Sequence, residues 1–303
     1  MEATTLALSG YFGILMLVGS LVPGAAVTAC LAEASSGLGG KKFWDKFGQQ
    51  QSAMGAKAFI LFLFLIVSGV FWCPVPAVYS LGSAFYPSGS GVGVALFPLL
   101  GGLLGMIVYS VSWVSLRHNK PLRRFLGAVS LLGLLGGLYG CLNIFLAWSL
   151  FAWPQVAPLW SEVWVPATWA VWPAWAGVVL NGIGAAGAAG MGYLLLRREK
   201  DDFGRDYYRF AMRGAAKWAM VLFLPAALGI GWAVLRAQAL SDYDLIALAT
   251  AGLAALVLVW LSTRVLRNPY PLRLKGSVIT VCFLAWILDS ALGLYLFCGV
   301  WSA

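Results

Sequence analysis

Apolar residues run along the chain in eight long stretches, near residues 8–32, 57–80, 92–116, 125–151, 168–196, 215–236, 245–264 and 276–299. Polar or Pro/Gly-rich segments separate them. A helix needs about 20 apolar residues to cross a hydrocarbon core of ~30 Å, so each stretch is a candidate span. Several are longer, which permits tilt without fixing its angle. The pattern predicts an all-α integral membrane protein of about eight transmembrane helices.

Composition agrees. The 303 residues are 61% hydrophobic and 10% charged, with a mean hydropathy of +0.85. A soluble domain carries roughly 25% charged residues, so a water-soluble enzyme is excluded. Residues 1–9 contain no Lys or Arg and hence no basic n-region of a cleaved signal peptide, so the first helix is expected to be retained.

The net charge of +9 matters through its placement. Residues 41–57, 117–124, 197–217 and 264–275 hold every Lys and Arg except Arg236. These are the first, third, fifth and seventh connections with their helix ends. The positive-inside rule therefore makes the odd-numbered connections cytoplasmic and both termini external, in a bacterial inner membrane. The basic excess is read as facing lipid, and no nucleic-acid partner is expected.

The two halves follow one plan: helix, long basic loop, helix, short external connection, helix, short basic turn, helix. Ser52-Ala53-Met54-Gly55-Ala56-Lys57 resembles Phe210-Ala211-Met212-Arg213-Gly214-Ala215-Ala216-Lys217. Asn119-Lys120-Pro121-Leu122-Arg123 resembles Asn268-Pro269-Tyr270-Pro271-Leu272-Arg273. Four helices per repeat is an even number, so both repeats share one orientation, unlike the inverted repeats of many secondary transporters. The expected organisation is two parallel-repeat four-helix bundles, residues 1–152 and 168–303, joined by a Trp/Pro-rich external connection at 153–167. Gly101, Gly102 and Gly105, then Gly133, Gly136, Gly137 and Gly140, then Gly182, Ala185, Ala186, Ala189 and Gly190 form small-residue stripes suited to close helix contact. They fit tight intrachain bundles better than docking of another membrane subunit.

Chemistry-bearing residues are sparse. His118 is the only histidine and sits at a helix end among basic neighbours, so this chain cannot by itself supply two histidine ligands to a haem, which would need Met or a partner as its second ligand, or a multi-His metal site. The five cysteines (Cys30, Cys73, Cys141, Cys282, Cys298) form no C-x-x-C pair and lie in or beside apolar stretches. No metal site and no cofactor held by the chain's own ligands are expected. There is no P-loop, H-E-x-x-H or G-x-S-x-G motif.

Asp289 is the most informative polar residue, near the middle of the eighth stretch in Trp286-Ile287-Leu288-Asp289-Ser290. A carboxylate at that depth costs about 3 kcal/mol or more and faces a bundle interior, a partner or a wet cavity. It reads equally as a proton relay or quinone hydrogen-bond partner and as a protonated acid bonded to a neighbouring helix, through Asn143 or a serine. Trp286 joins it as a quinone or proton candidate. Glu33 ends the first stretch beside Ser35 and Ser36; it could begin a proton path, although its position favours a solvated helix-end carboxylate. Asn143 and Asn181 fit helix bridging better than ligand binding.

Seven of the fifteen tryptophans fall between residues 148 and 175, interspersed with Pro154, Pro158, Pro166 and Pro173. Trp160, Trp164, Trp169 and Trp172 are candidates for docking a partner protein, against the simpler reading of an interfacial aromatic belt. The basic segments at 41–51 and 197–213 interleave charge with Phe43, Trp44, Phe47, Phe203, Tyr207, Tyr208 and Phe210. Contact with anionic lipid headgroups is the expectation there, with a cytoplasmic partner as the alternative.

The duplicated four-helix plan resembles haem-poor membrane subunits of bacterial respiratory complexes, both cytochrome bd subunit I-like proteins and polysulfide-reductase-type membrane subunits. The resemblance is one of architecture and carries no site motif. It departs from cytochrome bd at the haem ligands, since no histidine lies inside a span. It implies a haem-free subunit that anchors cytochrome or iron–sulfur partners and binds quinone. A transporter or channel for a small solute or ion, with Asp289 lining the path, is the alternative, and a purely structural scaffold is a third.

Overall fold

The computed structural model describes residues 3–39, 42–72, 89–151, 171–200, 203–236 and 242–301. All regular structure among them is helical: α1 (Ala3–Gly39), α2 (Lys42–Trp72), α3 (Gly89–Ser115), α4 (Lys120–Phe151), α5 (Val171–Arg197), α6 (Arg205–Ala219), α7 (Phe223–Arg236), α8 (Asp242–Arg267) and α9 (Lys275–Trp301). Seven segments among the described residues are long and apolar enough to cross a membrane, in α1 to α5, in α6–α7 taken together, and in α8. The 27-residue α9 is the eighth candidate. The chain is thus a multi-pass helical membrane protein.

α6 and α7 are one helical path tightened into a 3₁₀ turn at Met220–Leu222. Pro225 follows three residues later; it has no N–H to return to the Val221 carbonyl, and its ring crowds that turn. The helices also extend beyond the apolar stretches that announced them. α2 begins at Lys42 and α6 at Arg205, so both basic segments read as loops are largely helical. In α6 the buried residues Tyr207, Tyr208, Ala211, Met212, Ala215, Ala216 and Ala219 recur every three or four positions, while Arg205, Asp206, Arg209 and Lys217 are exposed. One apolar stripe on a polar cylinder is enough to hold a helix against a neighbour.

The chain packs as two units, Met1–Ala58 with Leu180–Ala303, and Phe59–Val179. In the first, α5 presents a face without side chains to its neighbours. A Cβ at Gly182 or Gly24 would collide with the backbone of the other, which places α1 directly against α5. Gly184 and Gly187 receive Leu222 and Ala219, Gly190 receives the Gln51 amide of α2, and Gly192 lies against the Cys282 sulfur of α9. The Cys282 thiol donates to the Ala188 carbonyl at 3.2 Å. Around these contacts Phe47, Met191, Leu194, Tyr207, Met212, Leu222, Leu258 and Val278 form the core.

In the second unit α3 and α4 form a hairpin. Gly102 meets the backbone of Leu134, Gly133 meets the Pro98 carbonyl, and Gly137 meets Leu99. The Ser130 hydroxyl donates to the Gly102 carbonyl at 2.8 Å. Asn119 Oδ1 accepts the Leu122 N–H at 3.3 Å, capping α4. Phe97, Leu104, Val108, Val114, Phe125 and Leu132 face outward, as lipid contact requires.

The glycines separate into two groups with opposite expectations. Gly187→Leu drives a side chain into the backbone of Trp218 and Ala219 and costs about 3 kcal/mol. Gly136, which faces open space, accepts alanine with no loss of stability. Thermal unfolding of the two purified variants in one detergent checks both.

Candidate functional site

Asp289 lies 14 residues into α9, about 21 Å along the helix at 1.5 Å per residue. It is 4% exposed. Cys282 and Asp289, two turns apart, share the face of α9 that meets α5, while Trp286 and Ser290 face α1. The Trp286 indole donates to the Gly10 carbonyl at 3.1 Å, and Ser290 packs against Gly13. These contacts fix the rotation of α9 and with it the direction of the carboxyl.

The partner of Asp289 is Asn181. Its Nδ2 donates to Asp289 Oδ2 at 3.4 Å and to Ser20 Oγ of α1 at 3.3 Å. The Ser20 hydroxyl in turn donates to the Leu17 carbonyl at 3.1 Å. The carboxyl is thus bonded to α5 rather than through Asn143, which is buried in α4 of the second unit. Asn181 Oδ1 is buried and has no hydrogen-bond partner. The node joins three helices and can hold a proton on a carboxyl of fixed orientation.

A second polar cluster lies toward the basic ends of α1, α2 and α6. The Thr28 hydroxyl is 3.0 Å from the Gly24 carbonyl and 3.3 Å from Gln51 Oε1. The Tyr207 hydroxyl donates to Gln50 Oε1, while Gln50 Nε2 is buried without a partner. Glu33 is 2% exposed, not the solvated helix-end carboxylate that its sequence position favours. The reason is that α1 continues to Gly39, which leaves Glu33 well inside the helix.

The aromatics of the two basic segments pack on one another. Phe43 lies 5.9 Å from Tyr207 and Trp44 lies 4.9 Å from Phe210, both ring to ring, with Phe203 5.3 Å from Tyr207. Lys46 sits 4.5 Å above the Phe203 ring. Phe47, Tyr207 and Tyr208 are buried, so they tie α2 to α6 and are not free for lipid headgroups.

Among the tryptophan candidates only Trp172 is described: it is 53% exposed, with its ring 5.1 Å from Tyr139. Trp160, Trp164 and Trp169 lie outside the described residues. Sequence reasoning missed Gln50, Gln51 and the pair Arg123–Trp113. Arg123, one of the basic residues of the third connection, is 1% exposed, with its guanidinium 3.7 Å above the Trp113 ring. The available signal was helical phase: continuing the α2 and α4 patterns into their basic ends places these residues on inward faces.

No protein-family model matches the chain, and a search of curated proteins finds no significant match.

Asn181→Leu leaves the Asp289 carboxyl without its amide donor and costs about 2 kcal/mol of stability. Combining it with Asp289→Leu recovers at least half of that loss, because the Ser20 hydroxyl keeps its bond to Leu17. A double-mutant cycle from thermal unfolding checks the coupling.

Proposed function

We propose that this chain is a haem-free integral membrane subunit of a bacterial respiratory or electron-transfer complex, which anchors cytochrome or iron–sulfur partners and offers a quinone site at Asp289. The observation that carries the reading is the node of Asp289, Asn181 and Ser20. It places a buried carboxyl beside an unpartnered amide oxygen, between three helices, at a depth reached from the acyl region of a bilayer. A quinone headgroup exchanging protons as it changes oxidation state needs such a group nearby.

In the same proposal both termini face the periplasm, with the α1–α2, α3–α4, α5–α6 and α8–α9 junctions in the cytoplasm. Those junctions carry the basic residues, which supports the orientation. The parallel duplication gains support from burial phase. Phe47, Gln51, Ser52, Gly55 and Phe59 are buried in α2, as are Tyr207, Ala211, Met212, Ala215 and Ala219 at a constant spacing in α6–α7, while Lys57 and Lys217 are both exposed. Asn119 and Asn268 each cap the turn that follows with the side-chain oxygen.

Transport of a small solute or ion is the second reading. It is favoured by the succession of buried polar residues Ser20, Thr28 and Glu33 along α1.

Purification from native membranes in mild detergent is expected to bring down a haem or iron–sulfur subunit, visible in the spectrum. Asp289→Asn is expected to weaken binding of a quinone-site inhibitor by tenfold or more. A colourless, partner-free protein that drives uptake into liposomes, with uptake abolished by Asp289→Asn, would instead establish transport.

A further inference from the structure

The open hydrogen-bonding positions of the Asp289 node are of one kind. Asn181 offers two N–H donors and one carbonyl oxygen. Both donors are engaged, one by Ser20 Oγ and one by Asp289 Oδ2. When Asp289 is ionised, its carboxylate dictates the orientation of this amide, because turning it over would set its oxygen against the carboxylate. The atom left over is Oδ1, an acceptor that is buried and has no partner. The Ser20 hydrogen is also taken, by the Leu17 carbonyl. An ionised Asp289 adds its second oxygen, again an acceptor. With Asp289 ionised, a ligand that meets the node therefore finds acceptors only among the described residues.

A quinone and its reduced form differ in this respect. The quinone presents two carbonyl acceptors, whereas the hydroquinone presents two O–H donors. A carbonyl oxygen placed against Asn181 Oδ1 and the carboxylate would leave three buried acceptors without a hydrogen among them. Sites built to bond a hydroxyl reject the analogue lacking it by large factors, since their own polar groups are then left unmatched.

We propose that the node selects the hydroquinone over the quinone, with one hydroxyl donating to Asp289 and the amide oxygen of Asn181 as the second acceptor. The inference rests on the quinone reading of this site and gives it a direction, namely quinol oxidation. In that reaction the hydroquinone would lose two electrons, one at a time, to one-electron carriers of haem or iron–sulfur type in a partner subunit. One hydroxyl proton passes to the Asp289 carboxylate, the other to water, and the quinone, now without donors, is released.

The test compares a hydroquinone headgroup analogue with its dimethyl ether and with the quinone, by thermal shift on the purified full chain in detergent. The hydroquinone is expected to bind at least tenfold tighter than either. Ser20→Ala frees one Asn181 N–H to face the ligand, so the preference is expected to fall several-fold in that variant as quinone affinity rises. Equal binding of hydroquinone and dimethyl ether by the native chain overturns the inference and leaves the quinone reading standing. Unchanged selectivity in Ser20→Ala also overturns it. Binding of none of the three ligands overturns both.

Discussion

The separation of α1 and α5 is set where two glycines meet. Gly24 and Gly182 leave no room for a Cβ on either helix, so the two backbones touch. In a bilayer this is the available means of holding helices together, because lipid tails are as apolar as leucine and burial supplies little drive. Asn181 is the residue next to Gly182, and Ser20 lies one turn before Gly24. The 3.3 Å between their side chains is therefore a consequence of backbone contact, not of the weak hydrogen bond that spans it. Gly184 and Gly187 of α5 do the same against Leu222, Trp218 and Ala219, while Gly190 and Gly192 admit the side chains of Gln51 and Cys282. Enlarging Gly184 or Gly187 shifts a neighbour and disturbs the packing that holds the polar node.

The node and the second polar cluster differ in what surrounds them. Among the described residues, one amide and one hydroxyl make up the polar node around Asp289. At the other end, Thr28, Gln50, Gln51 and Tyr207 share a bundle with Glu33, and the aromatic cluster of Phe43, Trp44, Phe203 and Phe210 closes over it. Long amides are suited to that position because they reach neighbouring hydroxyls, Tyr207 for Gln50 and Thr28 for Gln51, and carry no charge. A carboxylate in the middle of the span has no such neighbours to share its charge. That makes Asp289 the costlier residue to retain and the one whose presence asks for a chemical reason.

Much of the fold was legible from hydropathy, since a run of about 20 apolar residues has few alternatives to a spanning helix. The polar ends were not. Charge at 41–51 and 197–213 reads as loop in contact with lipid headgroups, yet an amphipathic helix needs only one apolar stripe, and Phe47, Met54 and Ala58 or Tyr207, Ala211 and Ala215 supply it. Glu33 misled for the same reason: its helix runs seven residues further than the apolar stretch around it. Asp289 was legible as buried because an acid inside an apolar run stands out alone. Its partner was not, because Asn143 and Asn181 have equal standing in the sequence and only the helix rotation fixed by Trp286, Cys282 and Gly182 chooses between them. Arg123 was missed because an arginine beside Arg124 and Lys120 looks solvated until the phase of α4 turns it onto Trp113.

The distribution of acids divides the work between the two units. Of the eleven Asp and Glu, only Glu162 falls within Phe59–Val179. Carboxylate chemistry therefore belongs to the unit built around α5, which holds Asp289 and Glu33. The other unit has cations at its α3–α4 turn, where Lys120, Arg123 and Arg124 occupy the first two turns of α4 with no acid in the first turn. Cations at a helix N-terminus meet the positive end of its dipole and are locally unfavourable. Stacking on Trp113 offsets part of that for Arg123, since an indole face attracts a guanidinium most strongly when water is excluded. For the exposed Lys120, the abundant anion at a bilayer surface is the lipid phosphate.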